Sequence, residues 1–153
     1  MVKRIFVEKK KGFDVSARKV ASDVSVTLGI AVKEVRQFIR YDIEDMPADI
    51  FDKAKNTIFS EPPVDMIYED ELPDMNGYSV LVTEYLPGQY DQRSDSAMQC
   101  VQLLSMGARP LIRCATVYAF KGIGAQEFNR IKKYLINPVD SREGSMEHPD
   151  TLR

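Results

Sequence analysis

Apolar residues recur along the chain in two periods, and the changes of period mark out the elements. Ile5, Phe6 and Val7 make residues 3–9 a strand. After the turn Gly12-Phe13-Asp14, residues Ala17, Val20, Ala21, Val24 and Leu28 form one stripe of an amphipathic helix. Asp14 is its expected N-cap and Gly29 its terminator. Residues 34–43 alternate: Val35, Ile39, Tyr41 and Ile43 point one way, Arg36, Arg40 and Asp42 the other. That predicts a strand whose polar second face lies on the more exposed side of a sheet. Pro47 suits the first position of a helix with the stripe Ile50, Phe51, Ala54 and Ile58.

Residues 61–76 break the pattern. Pro62, Pro63 and Pro73 stand among the acids Glu61, Asp65, Glu69, Asp70, Glu71 and Asp74, with no Lys or Arg. The segment reads as a solvated linker with a short extended piece at 64–68. The second half then repeats the first. A strand at 79–85 precedes a helix at 91–104, with Ala97, Cys100, Val101 and Leu104 on one face and Gly107 at its end. Residues 111–120 are apolar on both faces and predict a central strand. A last helix at 124–135 aligns Phe128, Ile131 and Leu135.

Strand–helix–strand–helix thus occurs twice, at an offset of about 75 to 79 residues. Gly12 matches Gly88, Asp14 matches Asp91, Val24 matches Val101, and Pro63-Val64-Asp65 matches Pro138-Val139-Asp140. One such unit leaves an apolar sheet uncovered, whereas two can pair edges and share a core. The expected fold is α+β: a two-layer sandwich of duplicated strand–helix–strand–helix units with pseudo-twofold symmetry. The first repeat spans 1–60, the acidic linker 61–76, the second repeat 77–140, and a tail 141–153.

Composition narrows the function classes. The 153 residues suffice for one domain or two small lobes, and 44% apolar with 29% charged residues is ordinary for a soluble globular chain. A formal charge of −2 gives no electrostatic reason to invoke nucleic acid or an acidic membrane. No apolar run approaches the roughly 18 residues that span a bilayer. The opening Met1-Val2-Lys3-Arg4 is charged too early for a signal peptide. Cys100 and Cys114, without Cys-x-x-Cys spacing, point to a reducing compartment, hence the cytoplasm.

Candidate chemistry is sparse. His148 lies in a polar tail without metal-spaced neighbours, and no glycine-rich phosphate-binding motif occurs. Cys100 on an apolar stripe and Cys114 in a buried strand read as core, with no histidine to activate either. Lys9-Lys10-Lys11 reads as a solvated strand end. Two polar segments stand out. In the first, the turn Pro87-Gly88 leads into Gln89, Asp91, Gln92, Arg93, Asp95 and Ser96 at a helix entrance; the second runs from Asn137 to Glu143 and carries Arg142. Each reads two ways. One is a capped helix start, with Arg93 paired to Asp91 or Asp95, and a helix stop. The other is a pair of rigid polar segments that dock on another protein surface.

Glu84-Tyr85-Leu86-Pro87-Gly88-Gln89-Tyr90-Asp91-Gln92-Arg93-Ser94-Asp95-Ser96-Ala97 and Tyr134-Leu135-Ile136-Asn137-Pro138-Val139-Asp140-Ser141-Arg142-Glu143 resemble the N-terminal region of large, single-chain phosphoribosylformylglycinamidine synthase. So do Val2-Lys3-Arg4-Ile5-Phe6-Val7-Glu8-Lys9-Lys10 and Arg40-Tyr41-Asp42-Ile43, and the resemblance covers essentially the whole chain. The family converts formylglycinamide ribonucleotide, ATP and glutamine to formylglycinamidine ribonucleotide in purine biosynthesis. Its N-terminal domain is similar to two copies of the small PurS subunit. The synthetase region, with ATP and magnesium, and the glutaminase region, with its Cys–His–Glu triad, would follow this chain. The resemblance therefore implies an excised or separately encoded scaffold with no catalytic residue, metal or cofactor of its own. Its partners are the synthetase and glutaminase domains, between which it helps hold the ammonia path. Gln89, Gln92, Arg93, Asp95, Ser96 and Arg142 are the candidate docking residues.

Two other classes compete. One is a free-standing interaction or regulatory module, a ferredoxin-like double sandwich binding a small effector between its halves. The other is a small enzyme using Gln92, Arg93 and Asp95 on an anionic substrate, which lacks a paired base or nucleophile.

Overall fold

A computed structural model describes residues 1–107 and 109–153. Its elements are β1 (Val2–Lys9), α1 (Val15–Leu28), β2 (Glu34–Glu44), α2 (Ala48–Lys55), β3 (Asp65–Glu69), β4 (Tyr78–Tyr85), α3 (Gln92–Ser105), β5 (Leu111–Lys121), α4 (Ala125–Leu135) and β6 (Ser141–Glu143). The fold is α+β. Six strands form one antiparallel sheet in the order β3-β1-β2-β5-β4-β6. The long central pair, β2 and β5, runs in register from Glu34↔Lys121 to Glu44↔Leu111.

Strand alternation sends side chains to two unlike faces. On one face lie the four helices, over two clusters. Ile5, Val7, Tyr41, Ile43 and Ile112 pack with Phe51 and Ala54 of α2 and Ala97 and Val101 of α3. Val35, Leu81 and Phe120 pack with Ala17 and Val24 of α1 and Ile131 of α4. The helix-free face has its own core of Phe6, Phe38, Val82, Ala115, Val117 and Ala119, covered by Tyr68, Leu72, Met75 and Tyr78. Each fully buried aromatic or branched side chain contributes about 1.5–3 kcal/mol by leaving water.

Several local expectations need correction. The extended piece expected at 64–68 is β3, hydrogen-bonded along β1, but the stretch 61–76 is not simply a solvated linker, because Leu72 and Met75 close over the helix-free core. The polar face of β2 is not the exposed one: Arg40, Asp42 and Glu44 are buried. The reason is the chain after β6. Gly144 N–H donates to Val82 O (2.8 Å), and residues 145–153 then cross the sheet as a strap whose Leu152 is buried. Glycine suits the entry to that strap: a Cβ on Gly144 would stand 3.0 Å from Val82 Cγ1 and 3.2 Å from Glu84 Cδ, so those side chains would have to give by a few tenths of an ångström. On α3 the buried residues are Ser94, Ala97 and Val101, while Cys100 is exposed and Leu104 stays 40% exposed. The helix is rotated from the expected stripe because Ser94, held by Asp91, turns inward. It ends on Met106 in the left-handed conformation, one residue before Gly107.

The two helix entrances are alike in backbone and unlike in capping. Phe13 N–H donates to Lys10 O (2.9 Å) and Gln89 N–H to Leu86 O (3.1 Å), closing two turns. In the second, Pro87 takes the first central position and Gly88 (φ +88°) the next, which requires positive φ. Asp91 caps α3, accepting from Ser94 N–H (3.1 Å) and Ser94 Oγ (2.7 Å). Asp14 stands at the N-cap of α1 but caps no helical N–H; it accepts from Gly12 N–H (3.1 Å) and pairs with Arg18.

Candidate functional site

Two regions gather polar groups beyond what the fold needs: the entrance of α3 with its flanking clefts, and the buried charges beneath the strap.

At the α3 entrance the structure separates the expected residues. Asp95 is spent locally: it accepts from Tyr90 Oη (3.1 Å) and Gln99 Nε2 (3.0 Å) and pairs with Arg109. Arg93 is exposed and, among the described residues, makes no ion pair with Asp91, Asp95 or any other acid. It stands between two clefts on the helix side. The larger, about 970 Å³, has an apolar floor of Ala17, Ala21, Val35, Ile39 and Phe59 and a rim that includes Lys10, Lys11 and Lys33. Gln37 also borders it, with its Oε1 buried and unpartnered. The smaller cleft, about 480 Å³, is lined by Gln92, Arg93, Ser96, Tyr85 and the exposed Cys100. Gln92, Arg93 and Ser96 therefore belong together. Gln89 and Arg142 lie elsewhere, on the edge of the cavity under the strap. Arg142 is held there by Glu84 (2.8 Å).

That cavity, about 500 Å³, lies over a buried charge cluster. Arg4 Nε and Nη2 donate to the two oxygens of Asp42 (2.7 and 3.1 Å). The guanidiniums also donate to backbone oxygens of the strap: Arg4 Nη1 to Met146 O (2.8 Å) and Nη2 to Glu147 O (2.9 Å), Arg40 Nη1 to Ser145 O (2.6 Å), Arg113 Nη2 to Leu152 O (2.6 Å). Glu44 accepts from Leu152 N–H (2.9 Å) and Thr151 Oγ1 (3.2 Å), and these bonds hold its carboxyl below the usual range. Burial, with Arg4 nearby, lowers the pKa of Arg40. None of these buried residues stood among the sequence candidates. The signal available was the run of charges on one face of β2; the strap that buries them has no periodicity to announce it.

The sulfur groups offer little chemistry. Burial pushes the Cys114 thiol up to about 12, so it is not a nucleophile near neutral pH. Burial likewise raises the Tyr41 phenol to about 12. Among the described residues, no group of three or more His, Cys, Asp or Glu is placed to hold a metal ion, and no helix is long and apolar enough to cross a membrane. No protein-family model matches this chain, and no curated protein is significantly similar to it.

Proposed function

We propose that the chain is the non-catalytic, PurS-like scaffold domain of a phosphoribosylformylglycinamidine synthase, acting in purine biosynthesis between the synthetase and glutaminase domains of that enzyme. The observation that carries the reading is the agreement between the two halves. The strand order β3-β1-β2-β5-β4-β6 is the same unit read inward from either edge. Val2 and Tyr78, Val15 and Gln92, Glu34 and Leu111, and Ala48 and Ala125 open corresponding elements, 76 or 77 positions apart. The loops agree too. Lys10 N–H reaches Val64 O and Leu86 N–H reaches Asp140 O. Glu61 O accepts from Val64 and Asp65 as Asn137 O does from Asp140 and Ser141. Glu61 N–H donates to the Asp65 side chain and Asn137 N–H to the Ser141 side chain. Asp65 thus corresponds to Ser141, so the two Pro-Val-Asp tripeptides are out of step by one residue. A duplicated unit with pseudo-twofold symmetry accounts for all of this at once, and it joins the sequence motifs in supporting a PurS-like domain.

Docking on larger domains accounts for the outer face of α3. Cys100 shares the smaller cleft with Arg93, which is unpaired among the described residues, and Leu103 (75% exposed) and Met106 (90% exposed) face solvent farther along the same helix. Apolar surface next to an unpaired guanidinium suits a protein partner. ATP and magnesium act in the synthetase domain on this reading, and the cytoplasm is where purine synthesis places the protein. A second reading, a free-standing module binding a small effector, draws on the 970 Å³ cleft. The coding sequence beyond residue 153 separates the two. The scaffold reading requires a synthetase region and a glutaminase region with a Cys–His–Glu triad, joined to this chain or encoded as its assembly partners. Their absence from the genome would overturn it.

A further inference from the structure

The four helices pack as two pairs, α1 beside α4 and α2 beside α3. The 970 Å³ cleft lies in the seam between α1 and the second pair. Its floor follows one row of β2, the alternate residues Val35, Gln37, Ile39 and Tyr41, and is about 20 Å long at about 3.3 Å per residue. Ala17 and Ala21 of α1 and Phe59 after α2 also line it. Ile39 and Ala21 are only half-buried, so the apolar floor is open to a ligand.

The charges lining this cleft do not balance. Its four acids are all engaged: Glu8 with Arg36 (2.7 Å), Asp14 with Arg18 (3.3 Å), Asp65 with Lys9 (3.0 Å), and Glu34 as acceptor from Tyr78 Oη (2.8 Å). Lys10, Lys11, Lys33 and Arg93 line it too and make no ion pair among the described residues. Against the one charge left on Glu34 they give an excess of three. The fold does not ask for these four cations. At the corresponding positions the second repeat has Leu86, Pro87 and Pro110 for Lys10, Lys11 and Lys33, and α1 has Ser16 where α3 has Arg93. Arg93 also stands in the first turn of α3, where the helix dipole disfavours a cation. The cations mark both ends of the floor. Lys10 and Lys11 follow β1 toward the Val35 end, and Lys33 precedes that residue by two. Arg93 borders the second cleft together with Tyr41. Burial raises the Tyr41 phenol, and Arg93 is near enough to oppose that rise.

We propose that this cleft seats an acidic segment of a protein partner, its apolar side chains on the β2 floor and its carboxylates at the two ends. Charge complementarity selects an acidic occupant, because the excess cations have no counter-charge in this chain. The spread of those cations selects a chain over a small anion: one phosphate or carboxylate reaches only one end of a floor about 20 Å long. The apolar floor selects side chains that leave water on binding. The inference rests on the docking reading above in taking the occupant to be a protein, and it names the chemistry of the docked segment. It does not depend on the purine pathway.

The test is fluorescence anisotropy of the full 153-residue chain with a labelled synthetic peptide of about twelve residues, long enough at about 3.3 Å per residue to overreach the floor at both ends. The peptide carries glutamates at each end of a middle of leucine and phenylalanine. Saturable one-to-one binding is expected, weakening as sodium chloride is raised. The combined variant Lys10→Gln, Lys11→Gln, Lys33→Gln and Arg93→Gln keeps the fold by circular dichroism and weakens binding by about tenfold or more. Lys53→Gln with Lys133→Gln, at exposed positions outside the cleft, leaves the affinity unchanged. Two controls should bind at least about tenfold more weakly than the peptide: a glutamate-only peptide, which lacks apolar side chains, and a single-stranded oligonucleotide of equal charge. No saturable binding, equal binding of either control, or undiminished binding by the combined variant overturns the proposal. All of this is read on the chain alone, so it stands or falls separately from the search for a synthetase region.

Discussion

Asp42→Asn probes the buried cluster most sharply. Asp42 faces two buried guanidiniums, Arg4 at 3% and Arg40 at 6% exposure, and supplies both oxygens to Arg4. The amide keeps the shape and one acceptor oxygen but removes the charge. Arg4 then loses one of two charge-assisted bonds, and two positive charges are left buried side by side. Removing one partner of a buried pair costs about 3–5 kcal/mol. A domain with a total stability of about 5–15 kcal/mol loses a large fraction of it. The melting temperature should fall by roughly 6–20 °C at about 2–4 °C per kcal/mol for a chain of this length. The assay is the urea midpoint of the variant against the parent, with amide exchange over 145–153 read in parallel. The strap should lose protection first, because its carbonyls are held by the same guanidiniums. Asp95→Asn is the control: its pair with Arg109 is partly exposed, and its loss should cost less than about 1 kcal/mol. If Asp42→Asn also loses less than about 1 kcal/mol, the buried charges do not depend on one another and the reasoning fails.

Three further outcomes follow. In native protein at pH 8, iodoacetamide should modify the exposed Cys100 and leave Cys114 about a thousandfold slower, since burial holds its thiol up to about 12; equal labelling by mass spectrometry would refute the burial of Cys114. Glu44 has a lowered folded pKa, so its contribution is complete above the ordinary 4.5 and is lost as pH falls through the lowered value. Acid should therefore free residues 151–153 before the sheet unfolds, seen as exchange at Leu152 N–H, and Glu44→Gln should free them at neutral pH; full protection in Glu44→Gln would contradict this. Arg93→Ala should shift the urea midpoint by the equivalent of less than about 1 kcal/mol, because Arg93 is exposed and unpaired among the described residues. On the scaffold reading, the same change should impair glutamine-dependent turnover of the enzyme assembled with its synthetase and glutaminase domains, where leaving a partner group unpaired would cost about 2–5 kcal/mol in docking; the reverse pattern would make Arg93 a local structural residue.

What the sequence made legible and what it hid divide along physical lines. The stripe Ala17, Val20, Ala21, Val24 and Leu28 is repeated and amphipathic, and it falls within α1 on the cluster it shares with α4. The apolar run at 111–120 lies within central β5. Local chemistry was also readable: Pro87-Gly88 forms its turn and Asp91 caps α3. Non-local burial was not. Arg36, Arg40 and Asp42 alternate as a solvated strand face would, and only the return of residues 145–153 buries Arg40 and Asp42. The short extended piece expected at 64–68 is β3, and what the prolines and acids around it concealed is that it pairs along β1 as part of the sheet. On α3, Ala97 and Val101 fit two overlapping stripes, and the tie was broken by Ser94 turning in toward Asp91. The candidate docking residues came from two separate polar segments, 89–96 and 137–143. The fold places Gln92, Arg93 and Ser96 at the helix-side cleft and Gln89 and Arg142 at the strap cavity, while Asp95 is held by Tyr90, Gln99 and Arg109.

The central claim is a scaffold role in an amidoligase, and trans-complementation measures it directly. Synthetase and glutaminase parts of the enzyme lacking residues 1–153 are mixed with formylglycinamide ribonucleotide, ATP, magnesium and glutamine, with and without this chain. Without it, ammonia should support product formation and glutamine should not; adding the chain, which alone releases no ADP or glutamate, should restore glutamine-dependent turnover. Full glutamine-dependent turnover without the chain, or turnover by the chain alone, would contradict the account.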